Sequence, residues 1–92
     1  MAISDLNITI DEYNTGSYSY MVEGMEASEI EEMGGAEKYV RSYVNGMLDG
    51  VQSNVAANHG KTYAHSTLLK ELRANGEIKR AIAWVSDWVE RQ

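Results

Sequence analysis

The feature that most constrains the fold is a run of apolar residues at helical spacing in the middle of the chain. Apolar side chains recur every three to four positions there, at Tyr39, Val40, Tyr43, Val44, Met47, Leu48, Val51 and Val55. Polar residues fill the opposite side, so the pattern predicts one amphipathic helix over residues 36–57, about 33 Å long. Gly46 and Gly50 lie at the edge of the apolar face, and each costs about 1 kcal/mol relative to alanine in a helix. We therefore expect either a close neighbour or a break in the helix there.

Two shorter helices are predicted nearer the C-terminus. Residues 67–74 and 77–90 carry apolar residues at helical spacing, and Asn75-Gly76 separates them. In the last helix Trp84 and Trp88 lie beside the apolar stripe and not at its centre. They either pack at the rim of the core or anchor another protein, because Trp, Tyr and Arg concentrate binding energy at interfaces.

The N-terminal segment shows the alternation that is typical of strands. Apolar and polar residues alternate over residues 6–10 and again over residues 18–22. A three-residue loop at Asn14-Thr15-Gly16 places the apolar side chains of both strands on one face, whereas a two-residue loop scatters them. This predicts a β-hairpin, while residues 61–65 form either a third short strand or the entry to the next helix.

The predicted fold class follows from the order of these elements. Strand, strand, helix, helix, helix indicates an α+β fold: an N-terminal antiparallel β-hairpin packed on two or three α-helices. Ser28 and Glu31 have the spacing of a capping box, which predicts a short helix that Gly34-Gly35 ends. A chain of 92 residues has room for one core, so residues 1–92 are predicted to form a single domain.

Charge is distributed unevenly along the chain. Residues 1–50 have a net charge of −8 and residues 51–92 a net charge of +2, although the total is only −6. The acids are densest where no base interrupts them, at Glu23, Glu26, Glu29, Glu31, Glu32 and Glu37. This segment is either a solvated face or a patch that binds a basic partner. It does not suit nucleic acid, because phosphate contacts depend on Lys and Arg.

No set of residues indicates catalysis, a cofactor or a metal site. The chain has no cysteine, which removes disulfides, cysteine-based zinc sites and a thiol nucleophile. His59 and His65 match no common zinc spacing. Gly60-Lys61-Thr62 resembles the end of a phosphate-binding loop but lacks the earlier glycine of that motif. We expect no enzyme activity.

Apolar residues near the acids are candidate anchors for a protein partner. Met21 falls on the polar face of the second predicted strand, so Met21 and Met25 are expected at the surface, and Tyr18 lies near a turn. Together with Trp84 and Trp88 they are the candidate apolar anchors, since apolar anchors within a charged rim are typical of protein-binding surfaces.

In length, acidity and lack of a catalytic set, the chain is similar to the small acidic single-domain proteins that phages and prophages encode, anti-CRISPR inhibitors among them. The resemblance implies an inhibitor that masks the basic nucleic-acid-binding surface of a protein partner with its glutamates. It also implies a cytoplasmic location in the host cell. A membrane span is not expected, because no apolar run approaches about 18 residues.

Two other functions are compatible with the sequence. One is a phage assembly or structural protein, or a homo-oligomer that uses the Trp84/Trp88 face. The other is a small helix-turn-helix-like regulator built on residues 67–80. Against that regulator, the second helix starts with Glu77 and Ile78 where base-reading side chains are needed.

Overall fold

Helices make up all the regular secondary structure in the part of the chain that the structure describes. The structure is a computed structural model, and it describes residues 6–11 and 15–92. A short 3-10 helix (Ser19–Val22) comes first. It is followed by α1 (Ala27–Glu32), α2 (Ala36–His59), α3 (His65–Ala74) and α4 (Glu77–Arg91). The predicted α+β fold is therefore wrong for these residues, because they contain no strand.

The prediction of the central helix is confirmed. α2 begins at Ala36 as expected and continues to His59, two residues beyond the predicted end. Its 24 residues correspond to about 36 Å, which is most of the molecule's 42 Å long axis. Gly46 does not break the helix, and neither does Gly50. α3 begins at His65 with Ala64 as its N-cap residue, so residues 61–65 contain no strand and end in the entry to α3, the second of the two predicted alternatives.

The helices enclose one apolar core. α2 and α4 form the most extensive helix–helix contact, α3 packs on both of them, and α1 also touches both. The innermost side chains come from every helix, among them Ile30, Val40, Val44, Leu68, Leu72, Ala81 and Val85. Their burial supplies the main driving force for this arrangement, at about 25 cal/mol per Å² of apolar surface.

The first predicted strand does not form, because its backbone bonds to side chains and not to a second strand. Asn7 has a φ of +51°, which is incompatible with a strand. The N–H groups of Ile10 and Asp11 donate to the Glu77 carboxylate, and the Ile8 carbonyl accepts from the Asn75 side chain at 2.6 Å. Ile8 and Ile10 are still buried, so the apolar positions were identified correctly and the secondary structure was not.

The second predicted strand is a 3-10 helix instead. Its buried residues are Tyr18, Met21 and Val22, a helical spacing, and the Met21 N–H donates to the Tyr18 carbonyl at 2.9 Å. Gly16 does have the left-handed φ expected of it, at +77°. Asn14 of the predicted loop lies outside the described residues.

The turn between α1 and α2 depends on two glycines, whereas the predicted capping box is absent. Glu26 is the N-cap residue of α1, and no side chain caps that helix, so Ser28 does not have the capping role assigned to it. Gly34 and Gly35 have φ values of +106° and +94°, which residues other than glycine rarely adopt. The turn brings α1 back against α2.

Candidate functional site

The six glutamates between residues 23 and 37 are all exposed, and we refer to them as the acidic surface (Glu23, Glu26, Glu29, Glu31, Glu32 and Glu37). Only Glu37 forms a salt bridge, with Arg41 at 3.1 Å, and the other five have no ion-pair partner among the described residues. Carboxylates in this state remain hydrated and are available to an external cation.

The local structure of α1 explains why its acids point outward. α1 has only six residues, and Ile30 is the one it buries completely. Ile30 is in contact with the core, so Glu29, Glu31 and Glu32 lie around the exposed circumference of the helix. A single apolar anchor therefore orients this part of the acidic surface.

An apolar groove adjoins the acidic surface where α1 ends. Its volume is about 640 Å³, and we name it the Met33 groove after its most exposed apolar residue. It is lined by Met33, Lys38, Tyr39, Ser42, Tyr43, Gly46 and Met47. Met33 is 56% exposed, which is unusual for so large an apolar side chain in this molecule. The groove can take apolar side chains of a partner next to carboxylates that take its cations.

α2 carries two glycines, of which Gly46 lines the Met33 groove and Gly50 lies one turn further along the helix. Gly46 and Gly50 are exposed, and a Cβ atom built on either would meet nothing within 4 Å. Neither a break in the helix nor a close neighbour accounts for them, so the expectation from the sequence is wrong on both counts. They leave the backbone of α2 open to close approach from outside.

The predicted apolar anchors are placed very differently from one another. Met21 is 1% exposed and Tyr18 is 3% exposed, so the expectation that these two side chains face solvent is wrong. The Met21 carbonyl accepts a hydrogen bond from the Tyr39 hydroxyl. Met25, Trp84 and Trp88 are partly buried against the core and keep some exposed surface.

Glu77 is a buried charged residue that the sequence analysis did not predict to be part of a site. It is only 5% exposed, at the first position of α4. Its Oε1 atom accepts four hydrogen bonds from the N-terminal segment, donated by Thr9 Oγ1 (2.7 Å), Tyr18 OH (3.0 Å) and the N–H groups of Ile10 and Asp11 (3.2 Å each). Its Oε2 atom accepts from Arg80 at 2.8 Å. We refer to this cluster as the Glu77 clasp.

Two opposing effects set the pKa of Glu77. Burial on its own would raise the pKa of the carboxyl group, because it disfavours the charged form. Hydrogen bonds from Thr9, Arg80, Tyr18 and the Ile10 N–H stabilise the carboxylate and outweigh burial, so the pKa lies below its ordinary value. An ionised carboxylate with both oxygens occupied by donors suits a structural attachment.

Two other kinds of site are absent from the described part of the chain. Within residues 6–11 and 15–92, no group of three or more His, Asp and Glu residues is arranged to hold a metal ion. Nor does any helix of the described ranges have the length and apolar character needed to cross a membrane. α3 and α4 are joined through Asn75-Gly76 as the regulator hypothesis requires, but α4 packs along α2 in the centre of the fold.

Comparisons of the chain with protein-family models, with curated proteins and with solved structures found no match.

Proposed function

We propose that the protein is a non-enzymatic binding module that covers a basic, nucleic-acid-binding surface on another protein in the cytoplasm. The observation that supports this most directly is the acidic surface, in which five exposed carboxylates have no ion-pair partner among the described residues. Charges that are unpaired in the free protein give electrostatic steering toward an oppositely charged partner.

The Met33 groove adds apolar contact area, which surface charge does not provide. Surface charges that stay hydrated contribute little affinity, and the core of a typical interface is apolar. Met33, which lines the groove, directly follows Glu31 and Glu32 in the chain. The lining includes two tyrosines and two methionines. A partner segment with basic and apolar side chains would be held by both parts together.

The protein inhibits its partner by competing with nucleic acid for the partner's Lys and Arg side chains. Carboxylates of the acidic surface occupy Lys and Arg side chains that would otherwise bind phosphates, and the body of the protein blocks access by the nucleic acid. Association of this kind weakens with salt, because screening extends over about 8 Å at physiological ionic strength. Phage-encoded inhibitors of nucleic-acid machines, which this chain resembles in size and acidity, are the corresponding class.

A capture experiment with matched charge variants tests the proposal. The protein is immobilised and exposed to extract of the source cells, and bound proteins are identified by mass spectrometry at low and high salt. The test variant carries Glu29→Lys, Glu31→Lys and Glu32→Lys. The control variant carries Asp49→Lys, Asp87→Lys and Glu90→Lys, which change the charge equally on exposed residues outside the acidic surface.

We expect the original protein and the control to retain nucleic-acid-binding proteins that added DNA duplex displaces. The test variant should retain at least about tenfold less of them, which corresponds to about 1.4 kcal/mol. Equal retention by the test variant, or captured proteins that duplex does not displace, would contradict the proposal. Circular dichroism establishes that both variants keep their helices.

A further inference from the structure

A second groove lies on another side of α2, and cations predominate in its lining, which Glu37 of the acidic surface also borders. It has a volume of about 420 Å³ and is formed by Glu37, Arg41, Arg73, Ile78, Lys79 and Ile82. We name it the basic groove. Glu37 and Arg41 project from α2 in directions different from those of Ser42 and Gly46 in the Met33 groove, given about 100° of rotation per residue. The two grooves are therefore separate surfaces.

The basic groove combines an apolar floor with unpaired cations. Ile78 is buried and Ile82 is partly buried against the core. Arg73 and Lys79 are exposed and have no ion-pair partner among the described residues, whereas Arg41 is paired with Glu37. The ligand that matches this surface is an apolar side chain with carboxylates close to it.

The chain itself exposes such a segment. Met33 is 56% exposed and follows Glu31 and Glu32, both of which are exposed and have no ion-pair partner in the described part of the chain. Lys38 is the one cation that shares a groove with Met33. A second copy that approaches with its acidic surface toward the first copy's acidic surface is repelled, which disfavours a symmetric contact through this region.

We propose that the basic groove binds the Glu31-Glu32-Met33 segment of a second copy of this chain, in a head-to-tail arrangement. The Met33 side chain enters the groove over Ile82, and the two carboxylates pair with Arg73 and Lys79. The contact joins two different surfaces, so each copy keeps one free groove and one free segment, and further copies can add. A groove this small buries less area than a stable dimer interface, so the association is weak, with a Kd of about 10 μM to 1 mM.

This inference does not depend on the proposed function, although the two uses of Met33 exclude one another. A partner bound at the acidic surface covers the Glu31-Glu32-Met33 segment, so partner binding and self-association compete.

Sedimentation equilibrium of the full chain tests the inference, with two complementary variants. The segment variant carries Glu31→Lys and Glu32→Lys, and the groove variant carries Arg73→Glu and Lys79→Glu. We expect the original protein to associate at about 0.01 M ionic strength and to be monomeric at about 1 M. Each variant alone should associate at least about tenfold more weakly, and an equimolar mixture of the two should associate again because each supplies what the other lacks.

Two control substitutions lie outside both grooves. Lys70→Glu and Glu90→Lys change exposed residues that line neither groove, and they should leave self-association within about twofold of the original. A monomer up to about 1 mM at low salt overturns the inference. So does association that both variants retain, which would indicate another face such as Trp84/Trp88, and so does a mixture that remains monomeric. Circular dichroism of each variant establishes that it is folded.

Discussion

The segment that precedes α1 and the bundle of α2, α3 and α4 are stabilised by different kinds of contact. In the bundle, buried apolar side chains are spread over three helices, so no single group carries the attachment. The N-terminal segment also buries apolar residues, but its backbone is held by two polar side chains, Asn75 at the Ile8 carbonyl and Glu77 at the N–H groups of residues 10 and 11. Distributed packing tolerates partial loss, whereas a single buried acceptor shared by several donors makes its region sensitive to one atom's charge and position.

The largest expected effect is in the bundle. Leu72 is fully buried in α3, and Leu72→Ala should lower the free energy of unfolding by about 3 kcal/mol, because it removes apolar contacts and leaves a cavity. Urea denaturation followed by circular dichroism measures this. Leu69→Ala is the matched control, since Leu69 lies in the same helix but is only partly buried, and it should cost less. Equal losses for the two variants would mean that α3 is not packed as the structure shows.

An intermediate effect is expected at the Glu77 clasp, and it should be local. Glu77→Gln keeps the shape of the side chain, but its amide NH2 must face either Arg80 or the donors of the N-terminal segment. We expect the exchange protection of the Ile10 and Asp11 amides to fall by about 1–2 kcal/mol, while amides in α2 and α4 keep theirs. Hydrogen exchange read by NMR resolves the two regions, and Glu90→Gln on the exposed face of α4 should change neither.

The same carboxylate predicts a pH dependence with a definite sign. The pKa of Glu77 in the folded protein is below its ordinary value of 4.5. Its contribution to the stability of the N-terminal segment is therefore complete above pH 4.5. The contribution is lost as the pH falls through the folded-state pKa. Protection of Ile10 should therefore be constant from pH 8 down to about pH 5 and decrease below it, and Glu77→Gln should remove this acid-dependent part. A decrease that Glu77→Gln shares unchanged would assign it to another group.

The smallest expected effect is a gain in stability of the bundle alone. Gly46→Ala adds a Cβ atom that meets nothing within 4 Å, so it should stabilise α2 by about 1 kcal/mol and raise the Tm without changing local protection at Ile10. Gly34→Ala is the contrasting control. There φ is +106°, which residues other than glycine rarely adopt, and a Cβ would also clash with Lys38 Cδ, so the Tm should fall. A fall for Gly46→Ala would mean that its Cβ position is not open.

The difference between the two regions also explains what the sequence could predict. α2 was predicted to within two residues because its periodic pattern is long and its stabilising contacts repeat along one face. Residues 6–10 also alternate in polarity, but what decides their conformation is Glu77, whose carboxylate is 66 to 68 residues away. A local pattern contains no information about such a partner.

The candidate site was predictable to a similar, partial extent. The exposure of all six glutamates follows from the cost of burying charge, and it was correctly expected. Met21 was assigned to the surface because a strand period was applied to a helical turn, and Tyr18 was assigned there because it lies near a predicted turn. Met33 was missed as an anchor, although its place between two glutamates and two glycines signals that no neighbouring apolar residue in the chain is available to cover it.

The Glu77 clasp has a consequence for the order in which the chain folds. During synthesis, residues 9 to 11 emerge long before residue 77, and at about 5–20 residues per second the interval is on the order of 3 to 13 s. Ile8 and Ile10 have no place to be buried in that time, since the acceptor that positions their backbone does not yet exist. The N-terminal segment is therefore made before the carboxylate that holds it, and its native hydrogen bonds can form only after the start of α4 is present.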